Sequence, residues 1–255
     1  MTPSVPAGQE THLPITGERT VPGIAEENYW IRRHEIAYLE LARLCAGKIV
    51  LEAGCGEGYG AELLSRGATR VVALDYDAFT AAHVARRYPR LHVVRGNLAA
   101  LPLATASVEV VVNLQVIEHL WDQAGFLREC ARVLRPGGTL LVSTPNRITF
   151  SPGRDTPLNP FHTRELAADE LDELLVECGF TVDSMRGLHH GDRLRALDAA
   201  HGGSFIDAQL NRSLAGQPWP EQLRADVASI TAEDFQITAA DVDASLDLVA
   251  VAVRT

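Results

Sequence analysis

The sequence predicts an α/β protein built on a mostly parallel sheet, and three observations carry that expectation. Short apolar runs alternate with amphipathic stretches throughout residues 48–146, the pattern of strands joined by helical crossovers. The run ending at Leu51 opens into Glu52-Ala-Gly-Cys-Gly-Glu-Gly-Tyr-Gly60, with glycines at 54, 56, 58 and 60, and reads as strand, tight turn and helix start. Asp75 then closes the next apolar run, 21 positions after Gly54. Glycine lets a backbone take positive φ and approach a ligand closely. A helix start behind such a turn presents unpaired amides to an anion or a ribose.

Length and composition narrow the class. A chain of 255 residues can bury a full core, and 46% hydrophobic with 22% charged residues is ordinary for a globular protein. The net charge of -10 argues against a nucleic-acid groove, which needs clustered Lys and Arg. Cys45, Cys55, Cys130 and Cys178 form no CxxC pair, so reduced core thiols are expected. No apolar run reaches the length of a membrane span, and no basic-then-apolar signal opens the chain. A cytoplasmic location is expected, and a homodimer is left open.

Residues 1–16, with three prolines, read as a flexible leader, and 17–255 as one domain. From Glu26 to Ala46 the residues Tyr29, Trp30, Ile31, Ile36, Leu39 and Leu44 recur at helical spacing. Arg32, Arg33 and His34 on that helix fit either a solvated face or a lid over the glycine turn. After the first strand come strands at Arg70–Leu74, Leu91–Arg95, Val108–Leu114 and Thr139–Ser143. The fourth is nearly all apolar, as a strand covered on both faces should be. Helices are expected over Ala78–Tyr88 and Trp121–Leu134, the second stopped by Arg135-Pro-Gly-Gly138. The proline-rich stretch from Arg147 to His162 is long for a plain connector and is a candidate functional loop. Thr163 is the expected N-cap of a helix running to Glu177, ended by Gly179. The last two strands are expected at Phe180–Met185 and Leu246–Val253. Residues 187–243 between them read as a helical insertion over the acceptor site, with short helices near 205–214 and 219–229.

Ligands of open α/β sheets bind outside the carboxyl ends of the strands, where the glycine turn and Asp75 are neighbours. An acid there can accept both hydroxyls of a ribose. A dinucleotide turn of the form G-x-G-x-x-G needs glycine at 59, where Tyr59 stands. The observed G-x-G-x-G, with Glu52 two residues before it, suits a nucleoside with no pyrophosphate. With LEAGCGEGYG (51–60), ALDYD (73–77), RGNLAALPL (95–103), VVVNLQVIEHL (110–120) and RVLRPGGTLLVSTPN (132–146), the chain resembles the class I S-adenosylmethionine-dependent methyltransferases. That resemblance implies a Rossmann-like seven-stranded sheet with its last strand antiparallel. It implies that the glycine turn holds the methionine end, that Asp75 binds the ribose and that Tyr76 lies against the adenine. Asn97 stands where an aspartate commonly accepts from the adenine amino group, a bond an Asn carbonyl can also accept. Tyr29, Arg33, Glu52, Gly54, Cys55, Gly56, Tyr59, Leu98, Asn113 and Gln115 complete the expected cofactor-binding set.

The segments GERT, ENYW-x-RRH, STPNRITFSPGRD, NPFHTREL and HGGS resemble mycobacterial sugar O-methyltransferases associated with methylglucose lipopolysaccharide assembly. That resemblance implies 6-O-methylation of glucose units in an α-1,4 glucan, so a glucan oligosaccharide is the expected partner. A neutral sugar hydroxyl is a poor nucleophile, which calls for a base, and histidine suits neutral pH. His119, after the fourth strand, and His162, before the helix expected from Thr163, are the candidate catalytic residues. Each also fits a structural role, as a cap or a packed loop residue. Asn146, Arg154, His189, His190, Asp192 and Arg193 are the candidate acceptor-binding residues. The spacing of the histidines and Asp192 matches no familiar ligand pattern, so no metal is expected. Competing readings are transfer to a quinone-like or lipid-linked small molecule, a nicotinamide-dependent dehydrogenase, and a non-catalytic cofactor-binding protein.

Overall fold

A computed structural model describes residues 20–214 and 216–255; the expected leader, 1–16, lies outside them. In chain order the elements are α1 (Asn28–Cys45), β1 (Ile49–Ala53), α2 (Tyr59–Ser65), β2 (Arg70–Asp75), α3 (Ala78–Arg87), β3 (His92–Arg95), β4 (Val108–Leu114), α4 (Gln123–Val133) and β5 (Leu134–Pro145). There follow α5 (Arg147–Phe150), α6 (Ala168–Glu177), β6 (Phe180–His190), α7 (Asp192–Ala200), α8 (Phe205–Leu214), α9 (Glu221–Ala228), β7 (Phe235–Thr238) and β8 (Asp247–Arg254).

The strands form one sheet in the order β3-β2-β1-β4-β5-β8-β6-β7. β1 to β5 are mutually parallel, β8 runs antiparallel between β5 and β6, and β7 runs antiparallel to β6. The expected α/β architecture is present, with eight strands where seven were expected. The extra strand is β7, four residues at the sheet edge inside the stretch read as wholly helical. It pairs Gly187–His190 with Phe235–Thr238, so β6 also runs farther than the apolar run to Met185 suggested. Three helices, α7 to α9, fill the rest of that stretch.

Two apolar cores cover the sheet, one on each face. One gathers Tyr29, Leu41, Val50, Leu64 and Val110 with Leu194, Phe205, Leu223 and Phe235, so α1 and the late helices share a face. The other gathers Leu51, Leu74, Val111, Phe126, Leu127, Leu140 and Leu171, under α4 and α6. Each such side chain contributes roughly 1.5–3 kcal/mol on leaving water. The buried stripe of α1 is Tyr29, Arg33, Ala37, Leu41 and Cys45, a four-residue rhythm, while Leu39 is exposed. Arg33 therefore lies inside the packed face of α1.

Caps place the chain at the carboxyl edge of the sheet. Asp77 accepts from the Thr80 amide at the start of α3, and Asp122 from the Gly125 amide at the start of α4, each cap contributing about 1 kcal/mol. The expected helix from Thr163 begins five residues later, at Ala168, where the Glu170 carboxylate accepts from the Ala167 amide. Leu166 instead bridges to Asn146, which draws residues 163–167 along the end of β5.

Candidate active site

The glycine turn leaves β1 with Gly54 and Cys55 both donating their amides to Leu74 O at 2.9 Å. Gly54 sits at φ +91°, and a side chain there would strike Val116 at 2.8 Å, so this glycine lets the turn after β4 close in. Gly56, at φ +49°, faces open space. Cys55 is buried beneath it. Asp75, at the end of β2, is nearly buried; its Oδ2 accepts from the Gly56 amide and its Oδ1 from the Asp77 amide, both at 3.0 Å. The carboxylate is thus pinned to the turn before any ligand arrives. A cavity of about 470 Å³ beside it is lined by Tyr76, Arg95, Gly96 and Asn97. Tyr76 is 64% exposed, an unusual position for a large ring, and Leu98 is buried behind Asn97. The Asn97 carbonyl already accepts from the Ala99 amide at 2.9 Å, so it caps its own turn and keeps one lone pair for a ligand.

These residues fit S-adenosylmethionine: an open glycine backbone, an oriented acid for a diol, and an aromatic face with an amide for a base. If Asp75 holds a ribose as the resemblance implies, removing it removes two charge-assisted bonds and loosens Gly56 as well. Asp75→Ala is therefore expected to weaken S-adenosylmethionine binding by about a hundred- to ten-thousand-fold in calorimetry, from two bonds of roughly 1.5–3 kcal/mol each.

Several residues of the expected cofactor set serve elsewhere. Tyr29 is fully buried among Trp30, Phe205 and Phe235, and its hydroxyl meets His190 Nε2 at 2.7 Å. Arg33, 2% exposed, makes a bidentate pair with Asp247, both bonds at 2.7 Å. Asn113 is buried and donates to Ala53 O at 2.7 Å, bracing β4 against β1. Gln115 holds φ +58° and donates its side-chain amide to Ser143 Oγ at 2.8 Å, fixing the strand end. Tyr59 packs its ring on Tyr38, with its hydroxyl 3.3 Å from His34 Nδ1. These contacts come from distant parts of the chain, which is why local spacing did not show them.

Glu52 lies under the turn and accepts from the Tyr38 hydroxyl at 2.6 Å. Burial pushes its carboxyl up to about 8, against the Tyr38 bond that lowers it. The folded state then keeps this proton to higher pH than the unfolded state, so its contribution is complete below about 4.5 and is lost as pH rises towards 8. The melting temperature of Glu52→Gln is accordingly expected to rise relative to the unsubstituted protein between pH 5 and 9, read by calorimetry across that range.

His119 and His162 come together at the carboxyl edge. Their rings stand 4.9 Å apart, edge to face. His119 Nδ1 donates to Phe161 O at 3.0 Å, since a carbonyl can only accept. His162 Nδ1 lies 2.6 Å from Glu165 Oε1, and its Nε2 lies 3.1 Å from Asn159 Nδ2. The helix expected from Thr163, directly behind His162, starts only at Ala168; the buried carboxylate of Glu165 holds the ring instead. Glu118, 1% exposed, accepts from Thr144 Oγ1 at 3.0 Å, and burial pushes its carboxyl up to about 8. Glu118, Glu165 and Asn159 were missed by sequence reasoning. The signals were the adjacency of Glu118 to His119 and the three-residue spacing between the others and His162.

The expected acceptor-binding residues divide. Asn146 is buried; its amide donates to Val242 O and Asp243 O, and its carbonyl caps α5. It ties two loops together and has no face left for a sugar. Arg154 is exposed on the loop after α5. His189 lies partly buried on β6, while His190, between Tyr29 and Asp198 Oδ2 at 2.7 Å, is part of the packing of α7. Asp192 pairs with Arg195 on the same helix, and Arg193 with Asp234 at 2.6 Å. His190 and Arg193 thus tie the late helices to the rest of the fold, while Asp192 pairs within its own helix. Trp121, 93% exposed, and the exposed Phe161 flank the histidine pair in sequence instead.

A family model described as a methyltransferase domain matches residues 51–142. A Mycolicibacterium smegmatis protein named as a probable S-adenosylmethionine-dependent methyltransferase is 66% identical over 245 residues, 95% of each chain. A Mycobacterium tuberculosis protein named likewise is 61% identical over 99% of this chain and 93% of its own. The crystal structure of an S-adenosylmethionine-dependent methyltransferase from Mesorhizobium loti superposes with a TM-score of 0.55 at 18% identity, over 86% of this chain and 98% of that one.

Proposed function

The chain belongs to the S-adenosylmethionine-dependent methyltransferases, and from that premise we propose that it methylates a carbohydrate oxygen, specifically the 6-hydroxyl of glucose units in a methylglucose lipopolysaccharide precursor. The observation that carries the oxygen chemistry is the His119–His162 pair, at the sheet edge next to the turn that Val116 presses against Gly54. The sugar assignment is supported by the resemblance of the segments around Arg33, Asn146 and His162 to sugar O-methyltransferases. No helix among the described residues is long and apolar enough to cross a membrane. A cytoplasmic setting is part of the proposal.

Bound S-adenosylmethionine supplies a methyl group on a sulfonium centre, so the remaining work is to position the acceptor and remove its proton. Gly54, Gly56 and Asp75 would hold the donor, with Tyr76 and Asn97 about its base. His119 and His162 each engage Nδ1 with an oxygen, so Nε2 is the nitrogen that would take a proton, at His162 once the Asn159 amide 3.1 Å away gives way. Glu165 would stabilise the imidazolium so formed at His162. Positioning and such a base contribute about a hundred- to ten-thousand-fold for the proton transfer. Trp121 and Phe161 offer flat apolar faces to a sugar ring, and residues 187–243 cover the same side of the sheet as α1.

The test is transfer of labelled methyl from S-adenosylmethionine to partly methylated α-1,4 glucan fragments, run beside quinol-like phenols. Label on the sugar 6-position is expected; label on the phenols alone would replace this reading with the small-molecule one.

A further inference from the structure

Two imidazoles and one carboxylate meet at the proposed acceptor edge in a way that proton transfer alone does not require. One ligand atom each from Glu118, His119 and His162 lie within 4.8 Å of one another. Glu118 Oε1 stands 4.0 Å from His119 Nε2. The outer partners are those a metal site uses. The carbonyl of Phe161 and the buried carboxylate of Glu165 take the Nδ1 protons, which makes Nε2 the ligating nitrogen of each ring. Thr144 Oγ1 occupies the far oxygen of Glu118. The two segments are also stitched together: the amides of Thr163 and Arg164 donate to Glu118 O at 2.7 and 3.3 Å, and Thr163 Oγ1 donates to Leu120 O at 2.7 Å. The ligands thus stand on a backbone fixed before loading.

We propose that Glu118, His119 and His162 form a divalent-cation site of the two-histidine, one-carboxylate kind, with its open positions facing the acceptor. A mixed nitrogen and oxygen set of this composition suits Mn²⁺, Fe²⁺ or Zn²⁺. Metal–ligand distances of about 2.1 Å place neighbouring ligands roughly 3 Å apart, so loading draws the three side chains together by about an ångström. The Asn159 amide, 3.1 Å from His162 Nε2, gives way in the process. The proposal rests on reading this edge as the acceptor site and gives its histidines a different part. With the cation bound they would act as ligands, acceptor oxygens would fill open positions, and a cation-bound hydroxide would take the hydroxyl proton in place of His162 and leave as water. Sequence spacing did not show this cluster, because Glu118 and His162 are 44 positions apart and only the fold joins them.

The test needs neither acceptor nor turnover. Protein stripped with a chelator is titrated with Mn²⁺, and the free-ion paramagnetic resonance signal reports uptake. One equivalent is expected to bind. Glu118→Gln should weaken binding by at least a hundred-fold, and Glu165→Gln, which alters only the outer partner, by about ten- to a hundred-fold. Circular dichroism and S-adenosylmethionine binding should be retained by both variants. No saturable uptake of Mn²⁺ or Zn²⁺, or equal uptake by Glu118→Gln, overturns the proposal. Saturable Mn²⁺ binding without methyl transfer to any sugar would overturn the acceptor reading and leave the metal site standing. Undiminished sugar methylation by the stripped protein would overturn the cation's part in the reaction.

Discussion

His162→Ala is expected to lower turnover by about a hundred- to ten-thousand-fold while S-adenosylmethionine affinity stays within about two-fold. The asymmetry follows from position. Asp75 and the glycine turn sit at the ends of β2 and β1, whereas His162 arrives on the loop before α6, next to His119 beyond the end of β4. Its ring is oriented by Glu165 from one side and Asn159 from the other, so its loss removes an oriented group and leaves the donor site intact. His119→Ala should fall in the same range. Single-turnover kinetics with donor binding measured separately checks both; near-normal turnover in the two variants would remove the pair from the reaction.

Asp247→Ala is expected to destabilise the fold by about 3–5 kcal/mol in chemical denaturation, a large share of a typical domain's stability. The Arg33 guanidinium gives two 2.7 Å bonds to Asp247 and a third, at 3.1 Å, to Leu246 O. Both side chains are buried, so removing the acid strands an uncompensated cation between α1 and the start of β8. The double variant Arg33→Met, Asp247→Leu should recover most of the loss, because two apolar groups of similar size need no desolvation. Failure of that recovery would mean the pair does more than hold α1 to the sheet.

The two cases show where the sequence was legible. β1, β2 and β4 declare themselves because both faces are covered, and in Val108–Leu114 only Glu109 and Asn113 interrupt the apolar run. The proposed donor site is equally local, since the glycine turn and Asp75 each lie at the end of one strand. Arg33 looks like a ligand-closing or solvated residue because its partner is 214 positions away. Asn146 looks like loop polarity and is a buried tie, for the same reason. β7 is too short to carry a period, and α7 buries only Leu194 among its nine residues. His162 is identifiable as a candidate, but the helix start expected at Thr163 lies farther on, and the group that orients the ring is Glu165.

The most direct measurement is a crystal structure with S-adenosylhomocysteine and a glucan fragment bound together. The ribose is expected on Asp75, the sulfur towards the edge held by Glu118, His119 and His162, and one sugar hydroxyl between that sulfur and the histidine pair. A sugar bound against α7 to α9 with its hydroxyls away from both histidines would contradict it.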